Sequence, residues 1–375
     1  MKRVLLLISL IAVFSACNRS SDKSSLLAGA FTEESNVSFF EDVFSESVIT
    51  PVKDKNAFVG NYMCIIFETD GVHDVILDYE QGLVHSVDRA GNVIGSINKV
   101  GKGPGEYVFI KDMALGKDGI ILLADSGRLL FYGFDGSFTG RQFQLDFISS
   151  AFSEASDGSF IFFTPYPHEL GENNSNNLIF TDSEGKVTGS SVPFEYCVPL
   201  GYRDDVRKVI GEDAYLASSP FSGKIYRFSP SSGTVETYVT DFKDKSAPKE
   251  LLEADGDYEK MEIAMENADI FYVCGAFENK DYLLMDIAHL EDMEEKAYGI
   301  WLFDKKTGKS LIQHYSADSP EFLALGIPVG LTEDNEVVFI GTGEYMEGIS
   351  GYKCFSGMDQ ESLEGMNIIR LKIDI

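Results

Sequence analysis

One phrase recurs along the chain: an alternating apolar strand, an Asp or Ser, a Gly-containing turn, and a second strand. It reads LVHSVDRAGNVIGSI from Leu83, LLFYGFDGSFTGRQF from Leu129, LIFTDSEGKVTGSSV from Leu178, IYRFSPSSGTVETYV from Ile225 and IWLFDKKTGKSLIQH from Ile300, with a truncated copy, IIRLKIDI, from Ile368. The turn-opening residues Asp88, Asp135, Asp182 and Ser229 lie 47 residues apart, and Asp304 and Asp374 follow after 75 and 70, so the last repeats carry insertions. Period-2 alternation, β-branched and aromatic residues and an Asp/Ser–Gly turn make each copy a β-hairpin. Ahead of each hairpin sits another apolar strand pair, such as DGIILLAD from Asp118 or NEVVFIG from Asn335. Four short strands per repeat and six copies are the proportions of an all-β, six-bladed β-propeller with four-stranded blades. A lone blade cannot bury both of its faces, whereas a ring of them can. The strand period excludes a helical solenoid.

The sixth copy stops after its third strand. Residues 37–50, VSFFEDVFSESVIT, alternate well enough to supply the missing outer strand, which would leave no open edge on the last blade. Between the fourth and fifth repeats, residues 243–277 form a short helical insertion: Pro248 to Asn267 is rich in Glu, Lys, Leu, Ala and Met and predicts one or two short helices. The acidic run HLEDMEEK, His289 to Lys296, predicts a long polar loop within the fifth blade. Insertions on a regular repeat often gather on one face and carry binding.

The chain divides into 1–16, 17–36 and 37–375. Lys2 and Arg3, the apolar run Val4 to Phe14, and the small residues Ser15 and Ala16 before Cys17 have the layout of an export signal, too short to span a bilayer. The small residues followed by Cys resemble a bacterial lipobox, with Phe14 where Leu is usual, which makes Cys17 the expected lipidation site and residues 17–36 a flexible tether. The expected location is therefore the cell envelope, as an outer-membrane lipoprotein held to the membrane through its N-terminal lipid only. The formal net charge is −29, or −31 once Lys2 and Arg3 leave with the signal. Such a surface repels phosphate backbones and anionic lipid headgroups, so no nucleic acid is expected as a partner, and cationic, neutral or metal-bearing partners are favoured.

Chemistry is sparse. Cys64, Cys197, Cys274 and Cys354 lie far apart without C-x-x-C spacing, which gives no support to a zinc site and leaves buried free thiols as the default. His73, His85, His168, His289 and His314 are read as falling in different repeats, without H-x-x-x-H or H-E-x-x-H spacing, so each is expected to be an isolated surface or loop residue with no metal role. DGDYE, Asp255 to Glu259, has oxygen ligands at alternate positions but lacks the rest of a calcium loop. No catalytic residue, metal or cofactor is assigned. The expected role is a monomeric binding module for a peptide, glycan or partner protein, with a propeller-type hydrolase or lyase acting on glycans, or an accessory subunit of an outer-membrane complex, as alternatives.

The most concentrated motif is GKGPGEY, made of Gly101, Lys102, Gly103, Pro104, Gly105, Glu106 and Tyr107, in the linker between the first and second repeats. A Walker loop needs Lys-Ser/Thr after its last Gly, and a dinucleotide loop needs G-x-G-x-x-G before a helix; neither is present. VPFEY from Val192 and SPEF from Ser319 echo its Pro, acid and aromatic in later linkers, which points to a structural joint, with a ligand-binding rim as the other reading. INKVGKGPGEY followed by IKDMALGKDGIILLAD resembles the six-bladed β-propeller lipoproteins of Bacteroides and related bacteria, whose G-x-G-x-G-P-G-E-[FY] segment it matches except at the first Gly, where Lys99 stands. The resemblance covers roughly residues 37–375 and implies a TolB-like or NHL-like ring and export. It brings no catalytic residue.

Overall fold

A computed structural model gives the fold; it describes residues 37–375 apart from 55–56, 58–59, 165–175, 195–204, 219–220, 255, 267 and 293, together with the backbone of a strand at Lys23–Leu26. Cys17, Cys197 and His168 lie outside the described residues, as do Asp255 of DGDYE and the end of VPFEY.

Six four-stranded antiparallel sheets form a ring, which is the six-bladed propeller the repeat predicts. The inner strands, in blade order, are Ile65–Thr69, Ile110–Gly116, Ala151–Glu154, Asp205–Lys208, Asp269–Glu278 and Gly330–Leu331. In blades 1 to 5 the remaining strands follow outward in chain order. Blade 6 is closed by the N-terminus: Phe44–Pro51 pairs antiparallel with Met366–Ile373, Ile49 opposite Ile369. This strand covers the outer edge of blade 6 as expected, although Phe39–Val43 just before it coils into a π-helical turn that buries Phe39, Phe40 and Val43. Outside blade 4 the backbone of Lys23–Leu26 adds a fifth strand, parallel to Thr234–Val239.

The core lies between blades. Ile66, Leu77 and Val84 of blade 1 pack on Met113, Leu122 and Leu130 of blade 2, and the same layering repeats around the ring. Polar ties accompany it: Arg370 of blade 6 is buried 2.6 Å from Asp74 of blade 1, and Asp112 of blade 2 accepts the Phe152 N–H of blade 3 at 2.9 Å.

Strand alternation gives the ring two faces. Inner strands run from the face of the blade-to-blade linkers toward the face of the hairpin turns, so all linkers share one face. Helices α1 (Lys249–Leu252) and α2 (Tyr258–Met265) lie in the linker before blade 5, α3 (Pro320–Leu325) lies in the linker before blade 6, and α4 (Gly343–Met346) lies in the turn between the two middle strands of blade 6, on the same face. The insertion is helical at Lys249–Leu252 and Tyr258–Met265, with Leu251 and Met261 buried and Ile263 63% exposed, but it is shorter than the expected 243–277, because Asp269–Glu278 is already the inner strand of blade 5.

Two sequence expectations give way. HLEDMEEK is not a long loop: strands Tyr282–Glu291 and Glu294–Asp304 absorb it and pair Glu291 with Glu294. Blade 5 has strands of up to 11 residues, and ladder bonds with neighbours on both sides outweigh the low strand propensity of its acids. SPEF is not a copy of the GKGPGEY joint either, because Ser319 caps α3 by accepting the Phe322 N–H at 3.2 Å and Pro320 occupies the first helical position.

Candidate functional site: the axial funnel

The inner strands converge on a cavity of about 600 Å³ that opens on the turn face and to which every blade contributes. Blade 1 supplies Phe67 to Asp70, blade 2 Leu115 to Asp118, blade 3 Ser153 to Gly158, blade 4 Arg207, Lys208 and Ile210, blade 5 Phe277 and Glu278, and blade 6 Val329 to Leu331. These positions are inner-strand ends and the turns after them, where DG pairs such as Asp118–Gly119 and Asp157–Gly158 reverse the chain.

Arg207 forms a charged floor. Its side chain is 6% exposed and reaches across the axis, with Nη1 3.3 Å from Glu68 and 3.6 Å from Asp112 and Nη2 2.7 Å from Asp205. Glu278, buried in the opposite wall, is neutralised by Arg227 at 3.2 Å and Lys305 at 2.7 Å. The rim of blades 1 to 3 carries Asp70, Asp118, Glu154 and Asp157. Burial pushes the Asp70 carboxyl up, but hydrogen bonds from His73 and from the His73 and Val72 N–H groups outweigh it and hold it below its usual range. Asp157 is held low by the Ser159 hydroxyl and N–H. Glu154 differs: burial raises its pKa, opposed by the Lys117 N–H that it accepts at 3.0 Å. On this rim Asp70 and Asp157 are thus held low while Glu154 is pushed up.

GKGPGEY is on the other face and lines no part of this cavity. Gly105 has φ +67°, and a Cβ there would lie 2.4 Å from the Phe138 ring of blade 2. A Cβ on Gly101 would lie 2.1 Å from Glu106 Oε2, so the glycines let the Glu106 side chain fold back and accept the Gly103 N–H at 2.7 Å. Tyr107 is fully buried and donates to the Gly82 carbonyl at 2.7 Å. Tyr132 of blade 2 donates to the Gly105 carbonyl at 2.6 Å, and Arg128 donates to that of Glu106. Lys102 and Pro104 are exposed. Every polar partner of the motif belongs to blade 1, blade 2 or the loop itself.

The other singled-out residues are dispersed. Cys64, Cys274 and Cys354 carry no disulfide among the described residues, and burial raises all three thiols. His73 stacks on Phe134 at 3.9 Å and His85 is buried in blade 1. The four described histidines are neither on loops nor in different repeats: His73 and His85 lie on strands of blade 1, and His289 and His314 lie on strands of blade 5, whose pairing brings their rings to 4.4 and 5.4 Å from Phe271. Among the described residues no three or more His, Cys, Asp or Glu side chains are grouped to hold a metal ion, and no helix is long and apolar enough to cross a membrane. The funnel residues were not named from sequence; the signal that could have found them is their position just before or within the first turn of each repeat.

The architecture and its axial cavity define the class: a six-bladed β-propeller with a funnel on its turn face. The chain belongs to the family described as a domain of unknown function, DUF4934, whose model matches residues 54–364. No curated protein matches it in sequence. In structure it is similar to a Bacteroides fragilis protein whose export is inferred, at TM-score 0.69 and 17% identity over 94% of this chain and 99% of that one. It is also similar to a member of the DUF4221 family from Bacteroides vulgatus, at TM-score 0.56 and 7% identity over 89% of this chain and 98% of that one. Likeness at these identities concerns the fold.

Proposed function

We propose that the chain is an exported propeller, anchored by a lipid on Cys17 and held in the cell envelope, that serves as a binding module for a peptide, glycan or partner protein. The observation that carries this reading is the funnel: a single cavity of about 600 Å³ to which all six blades contribute, within the size range of ligand sites. The inferred export of the similar Bacteroides fragilis protein supports the envelope location. In this reading GKGPGEY is a structural joint that fixes blade 1 against blade 2. A peptide and glycan array probed with the mature chain carrying Cys17→Ser tests the module, with binding above background to at least one class expected and silence on both arrays contradicting it. Globomycin, which blocks lipoprotein signal cleavage, is expected to make the unprocessed chain accumulate; an unaffected pattern contradicts lipidation.

A second reading has one observation in its favour. Glu154, pushed up, and Asp157, held low, share the rim, and two carboxyl groups with separated pKa values are what glycan hydrolysis employs. Polysaccharide breakdown that Glu154→Gln abolishes would establish it.

A further inference from the structure

The outer edges of the blades are not alike. In blades 1, 2, 3 and 6 a register shift breaks the ladder between the third and outermost strands, at Ser86–Val87, Phe138–Gln142, Phe180–Thr181 and Phe44–Ser47. Irregularities of this kind twist an edge away from further pairing. In blades 4 and 5 the outermost ladders, Lys224–Ser229 with Thr234–Val239 and Glu294–Asp304 with Lys309–Ser316, run without a shift. These two regular edges are the ones the N-terminal part of the chain engages. Lys23 to Leu26 pair with blade 4, Lys23 opposite Glu236 and Leu26 opposite Val239. The Val37 N–H donates to the Ile312 carbonyl of blade 5 at 3.2 Å, and the Phe39 N–H to the Gln313 side chain at 2.6 Å. Phe44–Pro51 then closes blade 6. One segment is thus bonded in turn to three successive blades, as a strap.

Its direction is set by blade 4. Thr234–Val239 is an outermost strand and runs from the turn face to the linker face, and Lys23–Leu26 is parallel to it, so the chain enters the strap at the turn-face end. Cys17 lies six residues before Lys23, a reach of about 20 Å at full extension. Without the blade 4 pairing, the span from Cys17 to the first bonded residue, Val37, would be 20 residues. We propose that the strap orients the propeller on the membrane, with its turn face, and so the mouth of the funnel, toward the lipid surface that holds Cys17. The proposal rests on the lipid-anchored reading and adds the face that the membrane meets.

The test is energy transfer from the lipidated chain to phosphatidylcholine vesicles that carry an acceptor dye on a fraction of their headgroups. The donor is clicked onto an azide residue that replaces either Lys306, in the outer hairpin turn of blade 5, or Lys102, in the joint on the linker face; both positions are exposed. Greater transfer from position 306 than from position 102 is expected, and equal or reversed transfer overturns the orientation. A Gly-Ser insert of about twelve residues between Asp22 and Lys23 should reduce the difference, whereas the same insert between Leu26 and Leu27 should leave it unchanged. Equal effects of the two inserts overturn the strap. Hydrogen exchange of the Cys17→Ser chain, which needs no lipid, should show slowed amides within Lys23 to Leu26. Unprotected amides there overturn the strap and spare the anchor. A full chain that does not float with the vesicles overturns the anchor and the orientation with it, even where those amides are slowed.

Discussion

At the residue scale the GKGPGEY joint is the most exacting part of the chain. Gly105 combines φ +67° with a Phe138 ring 2.4 Å from where a Cβ would sit. Gly105→Ala is expected to lower stability by about 2 kcal/mol, the sum of a left-handed backbone and overpacking, and a thermal melt showing no change would contradict this. Tyr107→Phe leaves the shape and removes the O–H that meets the Gly82 carbonyl in the core; a loss of about 1–2 kcal/mol in urea unfolding is expected. Both variants should bind ligand as the parent does, because the joint and the funnel lie on opposite faces. The motif was legible in sequence because glycine and proline constrain the backbone locally. The funnel was not: Glu68, Asp112, Asp205 and Arg207 come together from three blades, and no local pattern encodes which inner-strand ends meet across an axis.

At the scale of elements, the N-terminal strand carries the closure of the ring. Phe40, in the π-helical turn that leads into this strand and 1% exposed, packs edge-on to the strand's Phe44 at 5.5 Å and against Phe355 at 6.3 Å, so Phe40→Ala is expected to cost about 3–5 kcal/mol. Ile263→Ala, on the exposed side of α2, should stay within about 0.5 kcal/mol. Equal losses in denaturant titrations would mean that the outer strand and the insertion have been given the wrong weights. The closing strand was readable because an unpaired edge has to be covered. The lengths of the blade 5 strands were not, because Asp, Glu and Lys read as loop when taken alone, while Glu291 and Glu294 are held extended by their pairing.

At the scale of the whole molecule, pH acts through buried groups. Burial first, then repulsion from His289 and Lys245, pushes the His314 pKa from 6.5 down to about 4. Its folded-state ring stays neutral where the unfolded one takes up a proton, so the unfolded state gains between those values and stability falls as pH drops from about 6.5 to about 4. Melting temperatures across that window should decline for the parent and decline less for His314→Gln; an identical slope would contradict the assignment. Fold class was legible at this scale because the 47-residue spacing of Asp88, Asp135, Asp182 and Ser229 survives any local ambiguity. The face that carries the cavity was not, because the helical insertions gather on the linker side while the cavity opens on the other.

The proposed ligand site of this propeller is the turn-face funnel. Hydrogen exchange of the mature Cys17→Ser chain, alone and saturated with the tightest ligand from the arrays, addresses it most directly. New protection is expected at Glu68 to Asp70, Leu115 to Asp118, Ser153 to Gly158 and Arg207 to Ile210, with Gly101 to Tyr107 and α2 unchanged. Protection confined to Gly101 to Tyr107 or α2, with the funnel turns unchanged, would contradict it.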